Sequence, residues 1–504
     1  MFRIFGPPGT GKTTTLLNMV DDALERGVNP VDIAFLAFTR KAANEAKERA
    51  AKRFNLNPDE DLSHFRTLHS LALSKVGIRS EEVMQPSNYR ELGGVIGHRF
   101  QNVDGKDNDG DTFSSKINDP VLSLINLARL KKTKLRDEYN NSNLYADWNL
   151  VKYVDESVTA YKEKFEMYDF TDMLSQFIAN ADQCCPHFQL TFLDEAQDLS
   201  PLQWDIAHIL DKKSERMYCA GDDDQAIYRW AGADVEQFIN LPGGAEILAQ
   251  SYRVPSSVHK VAERIANRIN RRYRKEYNPR KERGRVAQIS GLAELDMSHG
   301  SWLIMGQAGY MLSPLSQELR GMGVLFNDRG RRSISDKIST AVNAWERLRK
   351  GTAVSGEEAR CVYSLMSTKT RVERGFKKLP GVEDSDQLTM PDLIDNHGLL
   401  ADPESIWHEA MDLIPDNERA YIVAMLRRGE KFNAEPRVTV STIHGSKGGE
   451  ADNVVLLTDL SPAAEAAAAI DADDLHRVFY VGVTRTRENL YFVEPEDLNR
   501  SYLI

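Results

Sequence analysis

The stretch FRIFGPPGTGKTTTLLNMVDDALE, Phe2 to Glu25, decides the fold. Phe2–Phe5 is an apolar strand, a glycine-rich turn follows, and a helix-compatible run begins at Lys12. Strand, turn and helix in that order open a parallel α/β sheet. Gly6, Gly9 and Gly11 let backbone N–H groups close around an anion, and the helix start adds its dipole. GPPGTGKTT, made of Gly6, Pro7, Pro8, Gly9, Thr10, Gly11, Lys12, Thr13 and Thr14, is therefore a phosphate-binding loop. Lys12 is expected to reach the β- and γ-phosphates of a nucleotide, and the Thr13 hydroxyl to ligate Mg2+. A plain glycine turn explains neither the lysine nor the threonine.

Working outward, Ile33–Phe38 reads as a second strand leading into the helix KAANEAKERAAKRF, and Leu190–Leu193 as a third that ends in acidic residues. FLDEAQD, Phe192–Asp198, puts Asp194 beside the magnesium and Glu195 beside an attacking water, the pairing that hydrolysis of ATP requires. Alone, such a strand end is a solvated turn; with the phosphate loop it is a catalytic pair. Asp194 follows Lys12 by about 180 residues, more than a minimal nucleotide-binding sheet needs. An insertion of helical pattern over about Gly77–Phe165 accounts for the excess. Within it, DGKDNDGDT at Asp104–Thr112 has calcium-loop spacing from Asp107, Asp109 and Asp111. Thr112 stands where that loop needs Gly and Asn118 where it needs Glu, so the calcium-loop reading fails and a mobile loop is expected.

In the second half, ILAQSYR near Ile247 opens strand-like sequence, and RVTVST and NVVLLT follow at Arg437 and Asn453. The polar, mainly helical stretch between reads as a second insertion. The expected fold class is α/β: two parallel-sheet cores, each with one mainly helical insertion. The divisions are residues 1–76 plus 166–245, insertion 77–165, residues 246–329 plus 437–504, and insertion 330–436.

The composition, 41% hydrophobic and 28% charged over 504 residues, is that of a soluble globular chain of several domains. No run of 18 apolar residues appears, so no membrane span is expected, and no secretory leader is read at the N-terminus. Cys184, Cys185, Cys219 and Cys361 have neither zinc nor disulfide spacing; reduced cytoplasmic thiols are the default. The net charge of −11 weighs against a general polyanion binder without excluding a local groove. The densest basic stretch, Lys260–Arg285, is either a solvated helix face with its loop or a phosphate-tracking surface.

AGDDDQAIYR, Ala220–Arg229, continuing WAGAD, narrows the function. With the order of the other segments it resembles a UvrD/Rep-type superfamily 1 helicase, whose cores are RecA-like. AFTRKAANEAKERA (Ala37–Ala50), RTLHSLA (Arg66–Ala72) and YDFTDML (Tyr168–Leu174) are similar to the family's first-core motifs. LAQSYRVP (Leu248–Pro255), VSTIHGSKGGEADNVVL (Val440–Leu456) and FYVGVTRTRENL (Phe479–Leu490) are similar to those of the second.

The resemblance implies that Gln225 senses the γ-phosphate and that Arg253 and Arg485 reach it from the second core, so that closure of the cores licenses hydrolysis. It implies Tyr252 on the adenine, Glu450 on the ribose, and Trp230 stacked on an unpaired base. It places Thr39, Arg40, His69, Thr442 and His444 along the strand. The lesser alternatives are surface ion pairs for the two arginines and core aromatics for Tyr252 and Trp230; Thr39, Arg40, His69, Thr442 and His444, each taken singly, are evenly balanced against ordinary packing or surface roles. The implied activity is an ATP- and Mg2+-dependent, 3′→5′ motor on single-stranded DNA and duplex junctions, with partners in repair or replication. It would be monomeric or weakly self-associating, and cytoplasmic.

Three departures stand out. Only five residues precede Gly6, where the family carries a glutamine segment that reads adenine, so GTP should be tolerated; the compact form suits a phage-encoded member, and no C-terminal nuclease domain is expected. Leu68 replaces an aromatic, and Ala231 an arginine, on the inferred strand-binding floor, which should weaken binding. The second insertion is short for the family, so unwinding is less expected than hydrolysis. Rival readings are a translocase that strips proteins from single strands, an ATP-gated binding module, and a generic ATPase without nucleic acid.

Overall fold

A computed structural model describes residues 1–101 and 119–504, apart from the side chain of Lys41; the segment DGKDNDGDT lies outside them. The chain divides into two compact units: Met1–Arg285 with Pro462–Arg487 and Ile504, and Val286–Ser461 with Glu488–Leu503.

The first unit is built on six parallel strands: β1 (Phe2–Phe5), β2 (Ile33–Ala37), β3 (Phe65–Thr67), β4 (Phe188–Leu193), β5 (Ser214–Gly221) and β6 (Ala245–Ile247). Their order is β3-β2-β4-β5-β1-β6. Residues of β2 are buried on both faces, as a parallel sheet covered by helices demands. Phe5 pairs with Gly221, and Leu193 with Cys219. The loops after β1, β4 and β5 therefore emerge side by side at the carboxyl end of the sheet, where α/β folds bind ligands.

Helix α1 (Lys12–Glu25) buries Leu16, Leu17 and Val20 against this sheet. Helices α2 (Arg40–Phe54) and α3 (Leu68–Val76) start at Thr39 and Thr67, whose hydroxyls cap them. The helices Pro86–Ile96, Pro120–Leu130, Leu135–Asn140 and Trp148–Phe165 follow. They gather a hydrophobic cluster of their own around Leu122, Ile125, Val151 and Val154. The YDFTDML motif ties this bundle down. Asp169 accepts from Arg129 (2.7 Å) and Lys162 (2.6 Å), and Asp172 also accepts from both. Burial alone would raise Asp169, but the two cations outweigh it and hold the carboxyl well below its usual range.

ILAQSYR, read as one strand, is two: β6, at the edge of the first sheet beside β1, and β7 (Gln250–Pro255), which pairs with β8 (Asn278–Arg280). The chain changes partner at Leu248–Ala249: Leu248 N still donates to Phe5 O, Ala249 O already accepts from Asn278 N, and Ser251 and Tyr252 then bond to the phosphate loop.

The second unit holds a seven-stranded sheet. Its members are β9 (Arg285–Ile289), β10 (Trp302–Gly306), β11 (Phe326–Asp328), β12 (Arg331–Arg332), β15 (Val438–Thr442), β16 (Ala451–Leu457) and β17 (Thr486–Val493). The small pair β13 (Val354–Ser355) and β14 (Gln387–Leu388) lies in the helical segment between β12 and β15. Strand β10 is parallel to both β15 and β16. Here the helical segment shares one core with the sheet: Trp345, Tyr363 and Met425 cluster with Trp302, Ile304 and Phe326.

Candidate nucleotide site and nucleic-acid face

Gly9 and Gly11 sit at φ of +71° and +80°, which glycine alone adopts freely. A Cβ on Gly6 would lie 1.8 Å from Lys12 Cγ, because the lysine stem folds back across it and Nζ donates to the Gly6 carbonyl at 3.1 Å. Thr10 closes the turn onto Pro7 O at 2.8 Å, and Thr14 is exposed beyond it. Thr13 Oγ1 donates to Asp194 Oδ2 at 2.6 Å. A hydroxyl beside a carboxylate is a pair of hard oxygen donors that fits Mg2+. Burial, and then the neighbouring Glu195 charge, push Asp194 up to about 6. Glu195 occupies a left-handed turn at φ 55°, its carboxylate 3.6 Å from Lys12 Nζ.

The end of β5 is fully buried acid. Asp222, Asp223 and Asp224 have no exposed surface, an arrangement that needs cations nearby. They come from the basic stretch. Lys275 Nζ lies 3.1, 2.7 and 2.7 Å from Asp222, Asp223 and Asp224. Arg272 clamps Asp224 through two bonds of 2.8 and 2.5 Å. Part of Lys260–Arg285 is thus neither a solvated face nor a phosphate track: its cations turn inward because three carboxylates wait there. Burial still pushes Asp224 up to about 6 in spite of Lys275. The helix Asp473–Val483 joins the cluster. Buried Arg477 donates to the carbonyl of Asp223 at 3.0 Å, and Asp473 accepts from the N–H groups of Asn270 and Arg271, both at 2.8 Å.

Two hydrogen bonds then link this cluster to Arg485. Gln225 Nε2 donates to Asp222 Oδ2 at 2.6 Å, and Arg485 Nη2 donates to Gln225 Oε1 at 2.5 Å. Arg485 is 2% exposed, which excludes a surface ion pair. Arg253 lies on β7 against the phosphate loop: Ser251 donates to Pro8 O, Tyr252 N donates to Gly9 O, and a Cβ on Gly9 would fall 2.3 Å from Arg253 Cβ. Tyr252 is 74% exposed, so it is not a core aromatic. Lys12, Thr13, Asp194, Glu195, Gln225, Tyr252, Arg253 and Arg485 all fall in the first unit, and exposed Glu450 falls in the second.

The family model described as the UvrD/REP helicase N-terminal domain matches residues 2–243, and that of the UvrD-like helicase C-terminal domain matches residues 400–496. Together the two matches cover more than half of the chain. The chain belongs to the UvrD/REP helicase family. It is similar to a Mycoplasma pneumoniae protein named "Probable DNA helicase", 26% identical over 294 residues that make up 54% of each chain. It is also similar to the Staphylococcus aureus ATP-dependent DNA helicase PcrA, 24% identical over 285 residues, which cover 52% of this chain and 37% of that one. The matched region thus spans about half or less of these relatives.

The strand-side candidates of this UvrD/REP family chain have mixed settings. Trp230 is 67% exposed, which excludes a core tryptophan. It meets Tyr228 edge-on at 6.4 Å, and Tyr228 stacks on Phe38 at 5.7 Å. Sequence reading did not single out Phe38 or Tyr228, although both lie inside quoted motifs. Arg40 is exposed at the start of α2, beside Thr39, whose hydroxyl accepts from Ala42 N at 3.2 Å. His69 is half-buried and edge-on to Phe170; burial lowers its pKa to about 4, so at neutral pH it is an uncharged ring and no counter-ion to phosphate. Thr442, whose hydroxyl accepts from Gly445 N at 3.0 Å, and half-buried His444 follow β15 in the second unit. Leu68 corrects the sequence reading. At 4% exposed it packs with Phe5, Leu36 and Leu71, so its side chain is core rather than strand-binding floor. Ala231 is half-buried beside Trp230. Among the described residues no group of three or more His, Cys, Asp or Glu could hold a metal, and no helix is long and apolar enough to cross a membrane.

Proposed function

We propose that the protein is an ATP-driven translocase and helicase on single-stranded DNA, moving 3′→5′. Membership of the UvrD/REP family and the names of its relatives support the class. The observation that carries the reading is the linkage of Arg485 to Gln225, five residues before an exposed Trp230. A group sensing the γ-phosphate and a ring suited to stacking on a base then share one short segment, as a motor requires. Thr13 and Asp194 would hold Mg2+, which would neutralise charge on the β- and γ-phosphates. Lys12 would bind those phosphates, Glu195 would orient the attacking water, and Arg485 and Arg253 would meet the charge that develops on transfer. Tyr252 would stack on the adenine and Glu450 accept from the ribose. Thr39, Arg40, Thr442 and the rings of His69, His444 and Trp230 would line the strand. The four-part division at residues 76, 165, 245, 329 and 436 belongs to the same proposal.

An ATP-gated binding module is disfavoured by Glu195, since a switch has no use for a carboxylate set beside Lys12 to activate water. The test is displacement from a duplex carrying a 3′ or a 5′ single-stranded tail, with ATP and Mg2+. The proposal expects opening from the 3′ tail only. Opening from the 5′ tail reverses the polarity. No opening, with streptavidin still stripped from the strand end, reduces the protein to a translocase.

A further inference from the structure

A continuous line of hydrogen bonds runs from Arg485 to Glu195, and Gln197 is the member that meets Glu195. Arg485 donates to Gln225 (2.5 Å), Gln225 donates to Asp222 (2.6 Å), and Asp222 N donates to Gln197 Oε1 (3.0 Å). Gln197 Nε2 then donates to Glu195 Oε2 (2.5 Å) and to Asp198 Oδ2 (3.0 Å). The Gln197 side chain has no exposed surface. Its oxygen and both amide hydrogens are all engaged, so its orientation is fixed: a flipped amide would set its oxygen against two carboxylates and its NH2 against a backbone N–H. The backbone leaves room for it. A Cβ on Gly221 would lie 2.5 Å from Gln197 Oε1.

A carboxylate orients water only if it is itself held. The Lys12 contact at 3.6 Å is too long to fix Glu195, whereas the Gln197 amide at 2.5 Å does so. We propose, building on the hydrolysis reading above, that Gln197 is the positioning residue for Glu195. It holds the water-orienting carboxylate in register with Gln225 and Arg485, so that the pair on the phosphate side and the base on the water side are set together. The amide is required because it must donate to acids and accept from an N–H at once; glutamate can do only the second.

The test compares Gln197→Glu, Gln197→Met, Glu195→Gln and the double variant Glu195→Gln/Gln197→Glu with the wild type. Turnover of ATP on oligo-dT, affinity for a fluorescent ATP analogue and thermal melting are measured on each full-length protein. Gln197→Glu keeps the acceptor for Asp222 N–H and is the variant that decides if Gln197→Met does not fold. Its kcat should fall roughly ten- to a hundredfold, the usual effect of losing an outer-shell partner. Its nucleotide affinity should stay within about threefold of wild type, because the interaction acts on turnover and not on ground-state binding. In the Glu195→Gln background the second substitution should cost nothing more, since its effect passes through the missing carboxylate. A folded Gln197→Glu with wild-type kcat, an additive double variant, or nucleotide affinity lost in step with kcat would each overturn the proposal. Wild type that turns over no ATP would instead remove the hydrolysis reading beneath it.

Discussion

Trp230 presents 67% of its surface to solvent at the end of a ladder with Tyr228 and Phe38. Exposing so large a ring forfeits burial energy, which a stacking surface recovers only when it is covered. Trp230→Ala should therefore leave melting unchanged and weaken binding to fluorescent oligo-dT by ~1–3 kcal/mol, read by anisotropy. Equal affinity in the two proteins would assign the ring another purpose. At this scale the sequence was readable where chemistry restricts the residue type. Gly6, Lys12, Thr13 and the Asp194–Glu195 pair have few other uses in that order. Gln197 and Lys275 were not readable, because glutamine and lysine suit any surface and only the folded chain reveals that both are buried. Leu68 was misjudged for the same reason: position in a motif says nothing of which way a side chain packs.

The loop over residues 267–277 and the helix Asp473–Val483 are joined by buried charge. Lys275 and Arg272 answer Asp222, Asp223 and Asp224, while Arg477 and Asp473 stitch the helix to the same loop. Lys275→Met would keep the volume of the stem and leave buried carboxylates short of a cation. The expected cost is ~3–5 kcal/mol, seen as a lower urea midpoint. A loss under about 1 kcal/mol would mean that Arg272 alone neutralises the cluster. Strands with both faces buried, such as β2 and the Val454–Leu457 part of β16, were legible from their unbroken apolar runs. β3 is only three residues long, and β5 opens with the polar Ser-Glu-Arg, so neither carries a strand pattern. The break in ILAQSYR depends on a contact with residues some 240 positions away, which no local pattern encodes.

For the whole molecule, a net charge of −11 looks unsuited to a partner made of phosphates. The buried cluster of three acids and two cations accounts for one unit of that excess, but binding depends on local charge, and exposed Arg40 marks where it can differ from the total. The parallel-sheet architecture was legible because apolar strands at β1, β2 and β4 alternate with turns and helices, and the ends of β1 and β4 carry motifs whose chemistry must converge. How much helical chain each sheet shares was not legible. The first unit's helices form a separate cluster, whereas those of the second merge with its sheet. The central claim is that hydrolysis at Lys12, Asp194 and Glu195 is coupled to an unpaired strand. Steady-state ATPase activity with and without oligo-dT, wild type beside Glu195→Gln, measures that coupling most directly. A rise of at least about tenfold with the strand, abolished by the substitution, is the predicted result. Activity indifferent to the strand, or a strand-dependent rise surviving in Glu195→Gln, would contradict it.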